Sequence, residues 1–290
     1  MHIAHATSVH PRTDTRIAVK MCRSVKAAAH DVTLVVADGL GSQDFEGIKI
    51  IDVARGDGNE RSGRIRRATQ TARRVMKTAM GSGADIVHFH DPELLPHATW
   101  LRSRTGPRLI FDAHEDVPKQ IQGKHYLPPW SRRLLGASYA GLERGIISRV
   151  DAVLAATPTI AKRYARIHPR VESVANFPLL EELHAKPADE SVRSGVCYVG
   201  GISDARGIKE VVDALALTHA NVRLYLAGRF SSQSLRAEVA QRSGWGQVES
   251  LGFLAREEVR ALMAGVSAGV VTFLWIYAGR YGGSVGLRSR

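Results

Sequence analysis

The sequence is poor in cysteine and aromatic residues, and it contains no long apolar run. Its two cysteines, Cys22 and Cys197, have no metal-binding spacing and lie in apolar runs, which predicts buried free thiols in a reducing compartment. Aromatic residues make up 6% of the chain and no nucleic-acid-binding motif is present, so we expect no nucleic-acid partner despite a net charge of +12. The chain shows neither a secretory leader nor an apolar run long enough to cross a bilayer, so we expect it to be cytoplasmic.

Short apolar runs alternate with helical patterns in the first half of the chain. Strands that are apolar on both faces and alternate with helices are typical of a parallel sheet covered by helices, as in Rossmann-like folds. The predicted strands lie at 1–7, 31–38, 47–53, 84–90, 108–114 and 151–157. Apolar residues at helical spacing predict three buried helix faces: Ile17, Met21, Val25 and Ala28; Ile65, Ala68, Ala72, Val75, Met76 and Ala79; and Leu134, Leu135, Tyr139, Leu142, Ile146 and Ile147.

The alternation stops over 176–195, a polar stretch with two prolines that is typical of a linker, and then resumes. We therefore predict two α/β domains, 1–175 and 196–274, with the ligand site in the cleft between them. Residues 275–290 contain three arginines and no acid and form an atypical tail, so the second domain is predicted to be incomplete. The strands of that domain are predicted at 195–201, 222–228, 247–253 and 267–274.

Histidines and carboxylates follow two strands of the first domain. In DIVHFHDPELLP (85–96), His88 and His90 alternate onto one strand face and Glu93 follows. In RLIFDAHED (108–116), His114 ends the strand, with Asp112 and Glu115 able to orient it. Ligands of parallel sheets bind beyond the carboxyl ends of strands, which favours a site here. Satisfied histidines and a local loop network are the plainer alternatives.

Two turns suggest anion or hydroxyl binding. HPRTDTRI (10–17) places His10, Asp14 and Arg16 at the start of a helix, where simple capping by Asp14 or a neighbouring threonine is the plainer interpretation. YVGGISDARGIKE (198–210) combines a glycine pair with an Arg-Gly dipeptide that opens a helix, which is the form of a phosphate-binding turn.

Taken in order, these motifs resemble the GT-B-fold retaining glycosyltransferases of the large family-four type. The resemblance spans about 1–274. It consists of the D-x-R-I helix start, HxHxxE, DAHE, NFP (176–178), YVGG…RGI, LYLAG (224–228) and LGFL…EEVRALM (251–263).

The resemblance implies a hexosyltransferase-like enzyme of polysaccharide biosynthesis. It would move a sugar from a nucleotide-sugar held by the second domain to a glycan or lipid-linked acceptor on the first, with retention and without a cofactor or metal. His114 matches the catalytic position. The donor-binding positions are Gly200, Gly201, Arg206 and Gly207, and the acceptor-binding positions are His10, Asp14, Arg16, His90 and Glu93.

The sequence departs from the family pattern in its second half. Arg206 stands where a lysine is common, and Gly201 where many members have an arginine. The E-x₇-E segment that holds the nucleotide ribose and the donor sugar is missing, because the last acidic residue is Glu258. We therefore expect this truncated chain to be inactive or impaired. The alternatives are a non-catalytic transferase that binds a ligand or partner, and a metal-dependent hydrolase using His88, His90 and His114.

Two basic, partly apolar segments suggest a membrane surface. Residues 61–77 contain six arginines and a lysine around an apolar stripe, and 128–142 combines Trp130 with two arginines. Such helices dock on anionic lipid, which predicts a peripheral protein on the inner face of the membrane; a solvated helix face is the alternative.

Overall fold

The computed structural model describes residues 1–53, 67–103, 105–122, 128–177 and 193–272. The chain divides into two compact units, Met1–Phe177 (unit 1) and Pro178–Arg290 (unit 2). Most of the predicted linker, the predicted tail 275–290 and residues 273–274 of the last predicted strand lie outside the described residues, as do 61–66 of the first basic segment.

Unit 1 is built on an eight-stranded sheet in the order β3-β4-β2-β1-β5-β6-β7-β8, parallel except where β3 pairs with β4. The six predicted strands are present, and the short β3 and β8 were not predicted. Their bounds are β1 (His2–Ala6), β2 (Asp31–Val36), β3 (Gln43–Phe45), β4 (Ile48–Asp52), β5 (Ile86–Phe89), β6 (Arg108–Ala113), β7 (Ala152–Ala155) and β8 (Val171–Ser173).

Helices cover this sheet and enclose two apolar clusters. A π-helical segment, Thr15–Cys22, continues into α1, and another, Arg67–Thr71, continues into α2; a 3₁₀ turn, Pro92–Leu94, precedes α3. The helices are α1 (Arg23–Ala27), α2 (Ala72–Met80), α3 (Leu95–Trp100), α4 (Val117–Gln122), α5 (Pro129–Ile147) and α6 (Pro158–Tyr164).

The predicted buried face is correct for α2. It is partly wrong for the first helical segment and for α5. Ala72, Val75, Met76 and Ala79 of α2 are all buried. In the first helical segment Ile17 is buried, but Cys22 replaces Met21 in the core; π-helical bonding adds a residue to the turn and shifts the register of the face.

The prediction for α5 is wrong at three positions. Leu134, Leu135 and Leu142 are exposed, whereas the buried residues of this helix include Glu143 and Ile147. Burial of Glu143 is possible because Tyr164 donates a hydrogen bond to its Oε1 at 2.6 Å and Arg163 pairs with its Oε2. This buried ionic contact, which sequence periodicity does not reveal, selects the face that α5 turns inward.

Unit 2 contains a smaller parallel sheet in the order β11-β10-β9-β12. Its apolar core includes Tyr198, Ile208 and Leu226. Both cysteines of the chain are free and buried, as predicted. The strands are β9 (Val196–Val199), β10 (Leu224–Ala227), β11 (Val248–Gly252) and β12 (Ala268–Gly269), and the helices are α7 (Ile208–Leu215), α8 (Gln233–Ala240) and α9 (Arg256–Gly265).

No helix within the described parts of the chain combines the length and the apolar character needed to cross a membrane.

Candidate active site

The polar cluster of unit 1 lies where the strand order of its sheet changes direction. Strand β1 pairs with β2 on one side and with β5 on the other, so the connections run outward from this point. The register places His5 of β1 opposite His88 of β5. A crevice beyond the carboxyl ends of strands at such a switch point is where doubly wound sheets bind their ligands.

Asp112, at the end of β6, is the centre of the cluster and is fully buried. Arg16 grips it with two hydrogen bonds, from Nε to Oδ2 at 3.0 Å and from Nη2 to Oδ1 at 2.7 Å. The remaining Nη1 of Arg16 donates to the carbonyl of Val174. His90 Nδ1 and His114 Nε2 approach Oδ2 at 3.0 and 2.9 Å. One carboxylate therefore joins two histidines and one arginine.

The charges of this network are set by the same contacts. Burial acts to raise the pKa of Asp112, but its contacts with His114, His90 and Arg16 outweigh burial and hold the pKa well below its usual range. Burial lowers the pKa of His90 to about 4, so this imidazole is neutral at pH 7. Because an ionised carboxylate only accepts, His90 donates from Nδ1 and keeps a lone pair on Nε2.

A second carboxylate, Asp91, organises the loop after β1. Its Oδ2 accepts hydrogen bonds from the Thr7 hydroxyl at 2.9 Å and from the backbone N–H groups of Ser8 and Val9 at 2.5 and 3.2 Å. The Ser8 hydroxyl also donates to Glu93 Oε1 at 2.9 Å. Asp91 thus fixes the loop that follows β1 at the edge of the sheet.

His10 and Asp14 form an ion pair above this edge, with His10 Nδ1 3.2 Å from Asp14 Oδ2. Asp14 also caps the helix by accepting from the N–H groups of Arg16 and Ile17, as the capping interpretation expects. Partial burial acts to raise the pKa of Asp14, but the hydrogen bond with His10 and the backbone donors outweigh it and lower the pKa to about 2. The hydrogen bond that His10 donates to Asp14 in turn raises the pKa of His10.

The accessible part of the cluster includes two imidazoles and one carboxylate. The rings of His10 and His114 stack with centroids 5.9 Å apart, and their side chains are 36% and 21% exposed, while that of Asp14 is 22% exposed. His90, Arg16 and Asp112 are buried. A ligand that reaches this edge therefore meets His10, Asp14 and His114.

In unit 2, three strands end at a glycine-lined cavity of about 370 Å³. Gly200 and Gly201 follow β9, and Gly228 follows β10. Gly200 and Gly228 have φ near +148° and +149°, and a Cβ added to Gly228 would lie 1.8 Å from the Gly200 carbonyl oxygen. Only glycine allows the two strand ends to approach in this way. Arg229 and Phe253 also line the cavity, with the guanidinium 4.7 Å from the ring centroid.

The predicted phosphate-binding turn precedes α7. Gly207 has φ of +64° and is the N-cap of the helix, while Arg206 directly before it is exposed. The Thr272 hydroxyl donates to the Arg206 carbonyl at 2.5 Å, which ties the turn to the end of the described chain. A helix N-terminus with an exposed guanidinium beside it favours an anion.

The structure brings the predicted residues of unit 1 together: His10, Asp14, Arg16, His90, Glu93 and His114. Arg16 and His90 are buried in the Asp112 network, so their assignment to an acceptor stays a prediction. Glu115, which the sequence offered as a partner for His114, is exposed, whereas Asp112 makes that contact. The sequence did not predict the role of Ser8 or the close approach of Gly228 to Gly200. It did predict that Asp112 orients His114, because an aspartate inside the apolar run of β6 is unusual.

Comparison with known proteins identifies the first unit. The model of the family described as Glycosyltransferase Family 4 matches residues 15–177, more than half of the chain. The chain belongs to this family. This result confirms the resemblance inferred from the ordered motifs, and a comparison with curated proteins found no match.

Solved glycosyltransferases share the fold at low identity. Sucrose-phosphate synthase from Thermosynechococcus elongatus has a TM-score of 0.72 and 15% identity, covering 97% of this chain and 78% of that one. The catalytic domain of starch synthase IV from Arabidopsis thaliana, bound to ADP and acarbose, has a TM-score of 0.63 and 13% identity, covering 94% and 78%. Anabaena HepE in complex with UDP and glucose has a TM-score of 0.64 and 14% identity, covering 94% and 74%. The predicted α/β fold with two Rossmann-like sheets of GT-B type is thus confirmed.

Proposed function

We propose that this glycosyltransferase moves a hexose from a nucleotide-sugar to a glycan or lipid-linked acceptor with retention, and that His114 contacts the reacting sugar. The observation that carries the proposal is the pairing of His114 with the buried, ionised Asp112 at the ligand edge of a family-four glycosyltransferase. Asp112 Oδ2 lies 2.9 Å from His114 Nε2 and holds the ring at this edge. An imidazole N–H at this position can donate a hydrogen bond to negative charge that develops near the sugar.

Unit 2 is proposed to hold the donor. The glycine ends of β9 and β10 let a diphosphate approach the backbone, and Arg206 at the start of α7 supplies a cation that grips phosphate with two donors. Anabaena HepE was solved with UDP-glucose and starch synthase IV with ADP. UDP- and ADP-sugars are therefore the first donors to test.

Turnover by this chain is proposed to be slow. Residues 259–290 contain no aspartate or glutamate, so no carboxylate from that segment can hold the ribose or donor sugar. Binding and single-turnover release of sugar are consequently better measures of the proposed function than steady-state rates.

Calorimetry with UDP-glucose and ADP-glucose tests the donor site. We expect one of them to bind, and Arg206→Ala to weaken its binding by about tenfold, since a charge-assisted contact contributes about 1.5–3 kcal/mol. Arg170→Ala changes an exposed arginine of unit 1 and should leave binding unchanged. Equal affinities of the two variants would contradict the assignment of Arg206. Binding without any release of sugar would favour the non-catalytic alternative.

Single-turnover release of sugar from the bound donor tests His114. His114→Ala should slow release by about 100-fold, the usual effect of removing one donor aimed at developing charge. His30→Ala alters a histidine that precedes β2 at the opposite edge of the sheet and should release sugar at the wild-type rate. Equal rates for both variants would remove His114 from the reaction.

We also propose that unit 1 docks on an anionic membrane through α5, which would suit a lipid-linked acceptor. Trp130, Leu134 and Leu142 occupy positions four or eight residues apart on this 19-residue helix, and they are 69%, 59% and 60% exposed. Arg133 and Arg144 are exposed as well, whereas the single acid of the helix, Glu143, is buried. The exposed side of α5 therefore presents apolar and positive groups without a negative charge.

The helix next to α5 extends the surface. Strand-covering helix α3 packs against both α2 and α5, and its Trp100 is 66% exposed. The Arg73 guanidinium of α2 lies 4.9 Å from the Trp100 ring centroid, and Arg74 and Lys77 are exposed beside it. A tryptophan covered by an arginine and flanked by further cations suits the interface between lipid headgroups and acyl chains.

Vesicle flotation tests this surface. The chain should float with phosphatidylglycerol-containing vesicles and less with pure phosphatidylcholine vesicles, because the cations need anionic lipid. Leu134→Ser combined with Leu142→Ser should reduce flotation severalfold. Leu217→Ser, which alters a leucine of unit 2 that is 89% exposed, is the matched control. Flotation that does not depend on lipid charge, or normal flotation of the double variant, would contradict the proposal that this surface docks on the membrane.

A further inference from the structure

Three histidines from two strands lie packed against one another below the sheet edge. His5 of β1, His88 of β5 and His90 just after β5 are 0%, 6% and 1% exposed. Their ring centroids are 4.6–5.3 Å apart, and one nitrogen from each ring lies within 4.8 Å of the other two. The triad adjoins the partly exposed His114, whose ring centroid lies 5.8 Å from that of His90 and which also contacts Asp112.

The hydrogen bonds of the triad leave lone pairs without partners. His90 donates from Nδ1 to Asp112, so its Nε2 carries a lone pair, and His5 Nδ1 lies 3.0 Å from that lone pair. In the protein alone, His5 must donate there, which leaves its own Nε2 without a hydrogen. His5 Nε2 and His88 Nε2 are both buried and have no hydrogen-bond partner. Buried polar atoms of this kind are costly and call for an explanation.

We propose that His5, His88 and His90 form a binding site for a divalent transition-metal ion of the zinc class. Neutral imidazole is a preferred ligand of such ions, and zinc–nitrogen bonds of about 2.0–2.1 Å require two ligating nitrogens to lie within roughly 4 Å of each other. The 3.0 Å spacing of His5 Nδ1 and His90 Nε2 meets this requirement, and one nitrogen of His88 lies within 4.8 Å of both rings' ligating atoms.

Asp112 supports the site from outside. A histidine that ligates a metal commonly donates its other N–H to a carboxylate, which fixes the ring and raises its basicity. His90 already has this arrangement, since Nδ1 donates to Asp112 and Nε2 points towards His5.

The site lies beneath the groups proposed to meet the sugar. Its ligands join the two strands at the switch point, so a bound ion would stabilise unit 1 without contacting the donor. A competing location is the neighbouring group of His90, Asp112 and His114, whose ligating atoms also lie within 4.8 Å of one another. That location shares His90 and differs in the other two residues, which makes the two separable by substitution.

The test uses the full chain, freed of metal with a chelator and titrated with Co²⁺ and Zn²⁺. We expect one equivalent of Co²⁺ to produce visible absorption bands and one equivalent of Zn²⁺ to displace it and raise the melting temperature. His5→Gln and His88→Gln should each weaken binding at least tenfold. His168→Gln is the control, because it alters another buried histidine that bonds only to the carbonyls of Arg170 and Val150 and to the Arg170 N–H.

The outcomes separate the possibilities. If the wild-type chain does not bind the metal stoichiometrically, that result alone overturns the proposal. Binding that survives His5→Gln and His88→Gln but is lost in His114→Gln would place the ion at the neighbouring group and would equally overturn it. Circular dichroism of each variant identifies those that fail to fold, and the wild-type titration remains decisive in that case.

Discussion

The two sheets present different chemistry at their carboxyl edges. In unit 1 that edge carries buried ionisable groups, with Asp112 held by Arg16 and two histidines. In unit 2 it carries glycines and an exposed arginine, and the ion pairs of Lys209 with Asp204 and Glu238 lie at the surface. Both edges follow from parallel strands, so the fold provides the position while the side chains decide what each edge does.

The two edges differ in what holds them in place. Unit 1 has fixed charges and oriented imidazoles whose positions depend on burial. In unit 2 the ends of β9 and β10 approach each other because no Cβ intervenes at Gly228. We therefore expect substitutions in unit 1 to act through lost charge and those in unit 2 through lost space.

The largest effect is expected from Asp112→Ala in unit 1. Removing this carboxylate leaves the Arg16 guanidinium buried without its partner, which should lower the free energy of unfolding by about 3–5 kcal/mol. Asp44→Ala removes an exposed aspartate of β3 and should change the free energy of unfolding little. Urea denaturation measures both; a small loss for Asp112→Ala would show that the two units do not differ in this way.

The corresponding substitution in unit 2 is Gly228→Ala. Its Cβ would lie 1.8 Å from the Gly200 carbonyl oxygen, and φ of +149° is unfavourable for alanine, so strand ends must separate. We expect a loss of about 1–3 kcal/mol, typical of an overpacked site, together with weaker donor binding. Gly246→Ala, where an added Cβ has no neighbour within 4 Å, is the control. Unchanged calorimetric donor binding would separate Gly228 from the proposed donor cavity.

The pH dependence of stability should also distinguish the units. The pKa of Asp14 is lowered to about 2 against an unfolded value of about 3.9, so its contribution of about 2 kcal/mol is present above pH 4 and lost as pH falls towards 2. His10 has a raised pKa, so its contribution is present below about pH 6.5 and lost as pH rises through the folded value.

Asp14→Asn should therefore reduce the loss of stability between pH 4 and 2 by about 2 kcal/mol, as followed by urea denaturation at each pH. Asp38, whose pKa is also lowered to about 2, and Asp112 should maintain the rest of the loss. Asp204→Asn alters an exposed aspartate of unit 2 and should leave the curve unchanged. A loss as steep in the Asp14→Asn variant as in the wild type would assign all of it to those other carboxylates.

The smallest effect is expected from Lys209→Met in unit 2. Lys209 pairs with Asp204 at 2.9 Å and Glu238 at 2.7 Å, but these carboxylates are 55% and 51% exposed. Water and salt screen such pairs, so the melting temperature should change barely and the change should vanish at high ionic strength. A clear decrease in melting temperature that does not depend on salt would show that unit 2 contains a strong ionic contact.

Much of the architecture could be predicted from local patterns, because strand and helix periodicities report burial directly. The ten predicted strands appear, and the ordered motifs identified the family correctly. The inward face of α5 was predicted wrongly because periodicity counts Glu143 as polar and therefore outward. Its burial depends on Tyr164 and Arg163 of the next helix, which a single-helix pattern does not contain.

The sequence by itself determined two parallel sheets and placed His90, Asp112, His114 and the glycines at strand ends. Only the tertiary structure decided which of these groups meet. Arg16 grips a carboxylate 96 positions away, and His5 contacts a histidine 85 positions away, because the strand order β2-β1-β5-β6 brings these ends side by side. Local periodicity fixes each strand's faces but carries no information about its neighbours, so the partners of Asp112 follow from strand order and register alone.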